Sequence, residues 1–196
     1  MNRVGVLALR GDKTIHGKGV KRPKSKRMPV DNHQGRLVAH GVSLPGSTPP
    51  LGATMTIFPV DLDPELVARL VETGGGQLAQ KMGIELLELG AERSVATMPV
   101  EGNRQVIGLL HGGAHVVLAE SLGSLSSAVH AGPGRFAVGI EISATHSQSA
   151  TEGLVTATCE ALSLGRTLAT HQITIRNARG DRLSTVRMTN ILRDQR

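Results

Sequence analysis

The sequence predicts an α+β domain in which an antiparallel sheet wraps one long, buried helix. Three observations carry this reading. The stretch from Gly112 to about Val129 is apolar on nearly every side, through Ala114, Val116, Val117, Leu118, Ala119, Leu122 and Leu125. A helix that is hydrophobic all round is a buried one. After it come four segments of strand character joined by short turns. Strands and helices also fail to alternate as a doubly wound parallel sheet would require. One long helix followed by four strands in a meander makes a helix packed on an antiparallel sheet.

Residues 1–54 contain no aromatic residue and no sustained period, and the run KGVKRPKSKR (18–27) concentrates their charge. Such a segment buries too little apolar surface to offset its ordering entropy, so disorder is expected there, with the folded domain spanning 55–196. The extension reads as a solvated tail, as an upstream stretch ahead of a true start at Met55, or as a tether for an acidic partner. In DPELVARLVETGGG (63–76), Asp63 is placed to cap a short helix, with Pro64 at its first position and glycines as its stop. IELLELG (84–90) and RSVATMPV (93–100) read as a hairpin, and EGNRQ (101–105) as the loop delivering the long helix. FAVGIEISATH (136–146) alternates Val138, Ile140 and Ile142 on one expected face. LVTATCEAL (154–162), LATHQITIRN (168–177) and RLSTVRMTNIL (182–192) follow, joined by SLGR and ARGD.

The formal charge of +6 is uneven. Residues 1–54 hold ten Lys and Arg against Asp12 and Asp31, a net +8, and the remainder is a net −2. Any nucleic-acid role would therefore rest on the tail alone. A single cysteine, Cys159, excludes an intramolecular disulfide and suits a reducing cytoplasm. It falls in an alternating run, as a buried strand residue does. No apolar run reaches the roughly 18 residues a membrane span needs. The chain is expected to be soluble and cytoplasmic. Walker loop, GxSxG elbow and paired zinc cysteines are absent, and two phenylalanines without Trp or Tyr leave no base-stacking surface.

The chemistry points to the long helix. His111 directly precedes Gly112 and Gly113 at its start, and a single carboxylate, Glu120, interrupts its apolar run, with Ser124 one turn beyond. Amides at a helix start lack intrahelical partners, and the macrodipole adds partial positive charge there. A carbonyl oxygen held at Gly112 or Gly113 would be polarised as in an oxyanion hole. Glu120 lies about 12 Å further along the axis at 1.5 Å per residue. That distance is too long for attack within one chain, and it favours a dimer in which Glu120 serves the partner's helix start.

The segment GLLHGGAHVVLAESLGS (108–124) resembles the signature of hotdog-fold acyl-CoA thioesterases, in the branch of the 4-hydroxybenzoyl-CoA and 1,4-dihydroxy-2-naphthoyl-CoA enzymes. The likeness continues through VGIEISATH (138–146), EGLVTATCEALSLGR (152–166) and RGDRLSTVRMTNIL (179–192), covering about 62–193. It implies that Glu120 is nucleophile or general base, either forming a mixed anhydride or activating a water. It implies that the Gly112 amide polarises the thioester carbonyl, that His111 and Gln105 orient the thioester or the water, and that Ser124 helps hold that water. It places the coenzyme A portion on Gly113, Gly139, His146, Ser147, Gln148, Ser149, Ser163, Leu164, Gly165, Arg166, Thr167 and Leu168, with Arg166 as phosphate partner. Two departures bear on those phosphate contacts: Ser143 stands where the family often has Asn, and SQSAT (147–151) lacks the family's arginines. His115 matches no functional position of the family and reads as structural.

The implied substrate is an acyl-CoA, with an aromatic acyl group by analogy to the branch, such as 1,4-dihydroxy-2-naphthoyl in menaquinone synthesis. Coenzyme A is part of that substrate, and no separate cofactor is expected. His130, His171, His16, His33 and His40 lack metal-ligand spacing, so no metal is expected either. The implied assembly is a homodimer or a dimer of dimers. The alternative is a non-catalytic acyl-CoA-binding regulator using the basic tail on nucleic acid. An intact Glu120 speaks against it, because a sensor needs no carboxylate there. A hydratase would need a His–Asp pairing that the sequence does not offer.

Overall fold

A computed structural model of the chain describes residues 62–195, together with the backbone of two short strands ahead of them. Those strands are β1 (Val38–Gly41) and β2 (Met55–Phe58), paired antiparallel. Apart from β1, the extension expected to be disordered lies outside the described residues. There follow α1 (Pro64–Thr73), α2 (Gln77–Met82), β3 (Glu85–Glu88), β4 (Arg93–Pro99) and α3 (Gly112–Ala131). The chain continues with β5 (Arg135–His146), β6 (Leu154–Leu164), β7 (Leu168–Asn177) and β8 (Arg182–Asp194).

The local signals act as their chemistry requires. The Asp63 side chain accepts from the Glu65 amide at 3.0 Å, Pro64 opens α1, and Gly74 closes it in the left-handed region at φ 55°. Helix α2 is an addition to the predicted elements. Its six residues, bracketed by Gly76 and Gly83, are too few to show a period. Helix α3 runs two residues past its predicted end.

The sheet order is β1-β2-β3-β4-β6-β7-β8-β5, antiparallel from β3 onward. This is the hotdog arrangement, a sheet wrapped around α3. Two features differ from the prediction. The four strands after α3 do not form a meander: β6, β7 and β8 do, whereas β5 lies beyond β8 at the sheet edge. The free side of β6 is taken by β4, in register from Arg93↔Glu160 to Pro99↔Leu154. The chain must therefore cross back through 147–153. The alternation of β5 also breaks at a bulge between Gly139 and Glu141. One extra residue turns the faces over, so Ile142 packs on the core while Val138 and Ile140 stay exposed.

Strand residues Met98, Val155, Ile173, Ile175, Val186 and Met188 pack against Leu118 and Leu122 of α3 in the main core. Among the described residues the helix is not buried all round, a further correction to the expectation: the sheet covers one side, and Leu125 and Val129 pack with Leu66, Val67 and Leu70 of α1. Ala114, His115, Leu118, Ala119, Leu122, Gly123, Ser126 and Ser127 face the sheet and are buried. Val116, Val117 and Ser124 are half-buried, and Glu120 is exposed. The half-buried Val116 and Val117 leave that side partly apolar as well. Leu122→Ala, which empties a fully buried site between α3 and the sheet, is expected to cost about 3 kcal/mol in urea-induced unfolding.

Candidate active site

The start of α3 is built by its own residues. His111 adopts an extended backbone (φ −67°, ψ 134°), and its Nδ1 accepts from the Gly113 amide at 2.8 Å. The ring's other nitrogen, Nε2, therefore carries the proton of the neutral form and points away from the helix as a donor. The amide of Gly112, the first helical residue, has no intrahelical carbonyl to bond and remains available to a ligand. The preceding loop is tied down by Asn103, whose side chain donates to the carbonyls of Met82 and Pro99, and whose carbonyl accepts from the His111 amide. Gln105 sits half-buried in this loop, its amide donating to the Leu109 carbonyl. Beyond it, Val106 and Ile107 form an exposed apolar tip.

His146, at the end of β5, lies over Gly112. A Cβ added to Gly112 would lie 3.0 Å from His146 Nε2, so a side chain there would have to displace the ring. Ser184 fixes that ring. Its hydroxyl donates to the Thr145 carbonyl and accepts from His146 Nδ1 at 3.0 Å, which leaves Nε2 as the unprotonated nitrogen facing Gly112. Under the same pair packs His115, only 2% exposed, its ring 5.2 Å from that of His146. Burial, reinforced by His146, pushes its pKa down to about 4, so it is neutral near pH 7. His115 belongs to the site's immediate support, although no motif pointed to it.

Glu120 stands two turns along α3, beside the bulged strand. Its Oε1 lies 3.7 Å from where a Gly139 side chain would begin, at the open seam between α3 and β5. The sequence led us to expect this carboxylate to be buried; in the single chain it is exposed, because no described residue covers that side of α3. None of the ion pairs among the described residues involves it. Ser124 follows one turn further, half-buried. The buried side chain of Asn190 on β8 also borders Gly139, its Oδ1 3.7 Å from the same point.

The residues expected to hold coenzyme A divide into two groups. Gly139 borders Glu120, and His146 lies at the helix start with Ser147, Gln148 and Ser149 in the exposed loop after it. Ser147 is anchored there, its hydroxyl donating to the Arg182 carbonyl. Gly113 is exposed beside them. Ser163 and Leu164 end β6, Gly165, Arg166 and Thr167 form the turn, and Leu168 opens β7. That turn meets the other end of α3, where His130 near the last turn bonds the Gly165 carbonyl and Arg135 donates to that of Arg166. At 1.5 Å per residue, 20 helical residues separate the two groups by almost 30 Å. One chain does not bring them together.

Two surface hollows lie elsewhere, one beside Phe136, Arg193, Asp194 and Gln195, the other beside Glu92, Arg93 and residues 160–164. Neither reaches Glu120. Cys159 is buried, and burial raises its thiol pKa to about 11, which suits a core residue and not a nucleophile. No group of three or more His, Cys, Asp or Glu among the described residues is arranged to hold a metal ion. No helix among them is long and apolar enough to cross a membrane.

Burial makes a stability prediction. A folded pKa near 4 for His115 contributes stability that is complete above the unfolded value of 6.5 and lost as pH falls toward 4. His171, buried and likewise shifted down, acts with the same sign. Thermal unfolding followed from pH 7 to pH 4 is expected to show a loss of about 1–3 kcal/mol from His115. His115→Asn should flatten that part of the profile and leave the part due to His171.

Residues 107–184 match the family model of the thioesterase superfamily. The chain is 41% identical over 118 residues to a proofreading thioesterase of Cronobacter turicensis, across 60% of this chain and 86% of that one. It is 38% identical over 120 residues to a 1,4-dihydroxy-2-naphthoyl-CoA hydrolase of Escherichia coli, across 61% and 88%. Among solved structures, it is similar to a thioesterase of Pseudomonas aeruginosa at 33% identity and a TM-score of 0.60, across 66% and 92%.

Proposed function

Because the chain belongs to the thioesterase superfamily and is a thioester hydrolase, we propose that it cleaves an acyl-CoA to a free acid and coenzyme A. The acyl group in this reading is aromatic, as the relative that acts on 1,4-dihydroxy-2-naphthoyl-CoA suggests. The observation that carries the reading is the placement on one helix of an open-faced glycine start and, eight residues later, an ion-pair-free carboxylate at an uncovered seam.

The Gly112 amide, at the positive end of α3, donates to the thioester carbonyl oxygen and stabilises the charge that builds there. The His111 Nε2–H and the Gln105 side chain orient the thioester or the water. Glu120 either attacks the carbonyl carbon, forming an anhydride and expelling the thiolate, or takes a proton from an attacking water. Ser124 helps hold that water. Because Gly112 and Glu120 are about 12 Å apart along one helix, the reaction site forms between two chains, Glu120 facing the partner's helix start. The uncovered side of α3 and the two separated groups of coenzyme A residues support the same assembly. Two copies side by side bring opposite helix ends toward one substrate. Coenzyme A enters as part of the substrate, the groups named here call for no further cofactor, and the reaction is placed in the cytoplasm.

Thiol release from a panel of acyl-CoAs tests the reading. Wild type is expected to hydrolyse an aryl-CoA, and Glu120→Gln, which keeps size and removes basicity, to lose at least about a hundredfold in kcat. A wild type inactive on every thioester, or a variant equal to it, overturns the proposal.

A further inference from the structure

The hairpin end that joins β7 to β8 carries more positive charge than its own residues neutralise. From Arg176 to Arg182 it holds three arginines against one carboxylate, Asp181. Arg176 and Arg182 stand directly opposite each other as a cross-strand pair, and both are exposed. Like charges placed opposite one another on a sheet are destabilising. Asp181 does not relieve them. It accepts from the Asn177 side chain at 2.9 Å and from Arg179 at 3.0 Å, and these bonds hold its pKa below the usual carboxylate value. Arg176 donates to the neutral Gly180 carbonyl at 2.8 Å. The Arg182 side chain has neither a hydrogen bond nor an ion pair among the described residues.

This hairpin end is fastened to the loop that leaves the start of α3. His146, over Gly112, is bonded to Ser184, and that pair ends the ladder between β5 and β8. The chain then turns so that the amides of Ser147 and Gln148 donate to the Leu183 carbonyl at 2.9 and 3.3 Å, and the Ser147 hydroxyl donates to the Arg182 carbonyl at 3.1 Å. Three of the residues expected to hold coenzyme A, Ser147, Gln148 and Ser149, are therefore exposed beside the start of β8, in a stretch with no arginine of its own. Arg182 lies two residues before Ser184, about 7 Å along the strand at 3.4 Å per residue. Arg166, in the same chain, is at the far end of α3, about 30 Å away at 1.5 Å per helical residue.

We propose that Arg182 and Arg176 bind the phosphate-bearing end of coenzyme A, supplying from the β7–β8 hairpin the cations that the 147–149 loop lacks. This rests on the acyl-CoA reading above and deepens it by assigning phosphate contacts on the helix-start side of the chain. A guanidinium presents N–H donors in a fork that matches phosphate oxygens. A phosphate between two exposed, opposed guanidinium groups turns their mutual repulsion into shared attraction. With the thioester carbonyl on the Gly112 amide, the pantetheine arm passes His146 and Ser184 and carries the phosphates to the hairpin. The two arginines hold the substrate far from the reacting atoms, so their removal weakens binding and leaves the chemical step alone.

The test compares the best acyl-CoA with the same acyl group on pantetheine, which carries no phosphate, using the full chain. Arg182→Gln is expected to raise KM for the acyl-CoA at least about tenfold and to keep kcat within about twofold, the mark of a contact made equally in ground and transition states. Toward the acyl-pantetheine, wild type and variant should agree in KM within about twofold. Arg176→Gln is expected to act in the same direction, and Arg182→Lys, which keeps the charge, to recover most of the loss. Titration of free coenzyme A by calorimetry gives a second readout, in which Arg182→Gln should raise Kd by a similar factor. An unchanged KM for the acyl-CoA, or one raised equally for both substrates, overturns the role of the arginines and leaves the thioesterase reading standing. A wild type inactive on every thioester, yet binding coenzyme A more tightly than Arg182→Gln does, overturns hydrolysis and supports the phosphate site. A wild type that neither hydrolyses thioesters nor binds coenzyme A overturns both.

Discussion

The close seating of α3 on the sheet is the constraint on which the rest depends. Met188 of β8 fills the space between them, bounded on the helix side by Gly123 and on the strand side by Gly139. A Cβ on Gly123 would lie 3.1 Å from its sulfur, and one on Gly139 2.9 Å from its terminal methyl. Larger residues at either glycine would have to displace the Met188 side chain. The same seating brings Glu120 against β5 and sets Gly112 beneath the ring of His146. Packing in the core thus fixes the helix that carries both ends of the proposed chemistry.

Polar groups inside this interface keep orientation as well as distance. Ser184 turns the His146 ring, and hydrogen bonds join Ala91, His171, Ser127 and Asn190 across the helix–sheet interface. Buried networks of this kind act as a unit, because each donor is committed by the next acceptor. The carboxylate itself remains exposed, beside β5.

Much of this was legible in the sequence because it is local. Asp63–Pro64 fixes the start of α1, and the run from His111 to Ser124 declares the helix, its amides and its carboxylate together. Strand order was not legible, since alternation says that β5 is a strand and nothing about which neighbour it takes. The bulge at Ile140 was hidden for a related reason: an unbroken apolar alternation gives no sign of the extra residue. Glu120 was expected to be buried because apolar neighbours surround it in sequence, but the side of α3 it occupies is one the described residues leave open. His115, Ser184 and Asn190 carry no motif, and their contacts are with partners 31 to 67 positions away in sequence. The two groups of expected coenzyme A residues were joined by resemblance alone, and the structure sets them at opposite ends of α3.

The claim that Glu120 works on a substrate held by the partner's helix start is open to direct test by mixing two inactive variants. Glu120→Gln removes the base, and Gly112→Val crowds His146 at the polarising amide. Unfolded and refolded together in equal amounts, half of the dimers hold one chain of each kind. In every mixed dimer one site then has both an intact Glu120 and an intact Gly112. The account predicts recovery of about a quarter of the wild-type rate per chain. Mixed dimers that form, verified by separable tags, yet remain as inactive as either parent would place both groups in one chain's site and contradict it.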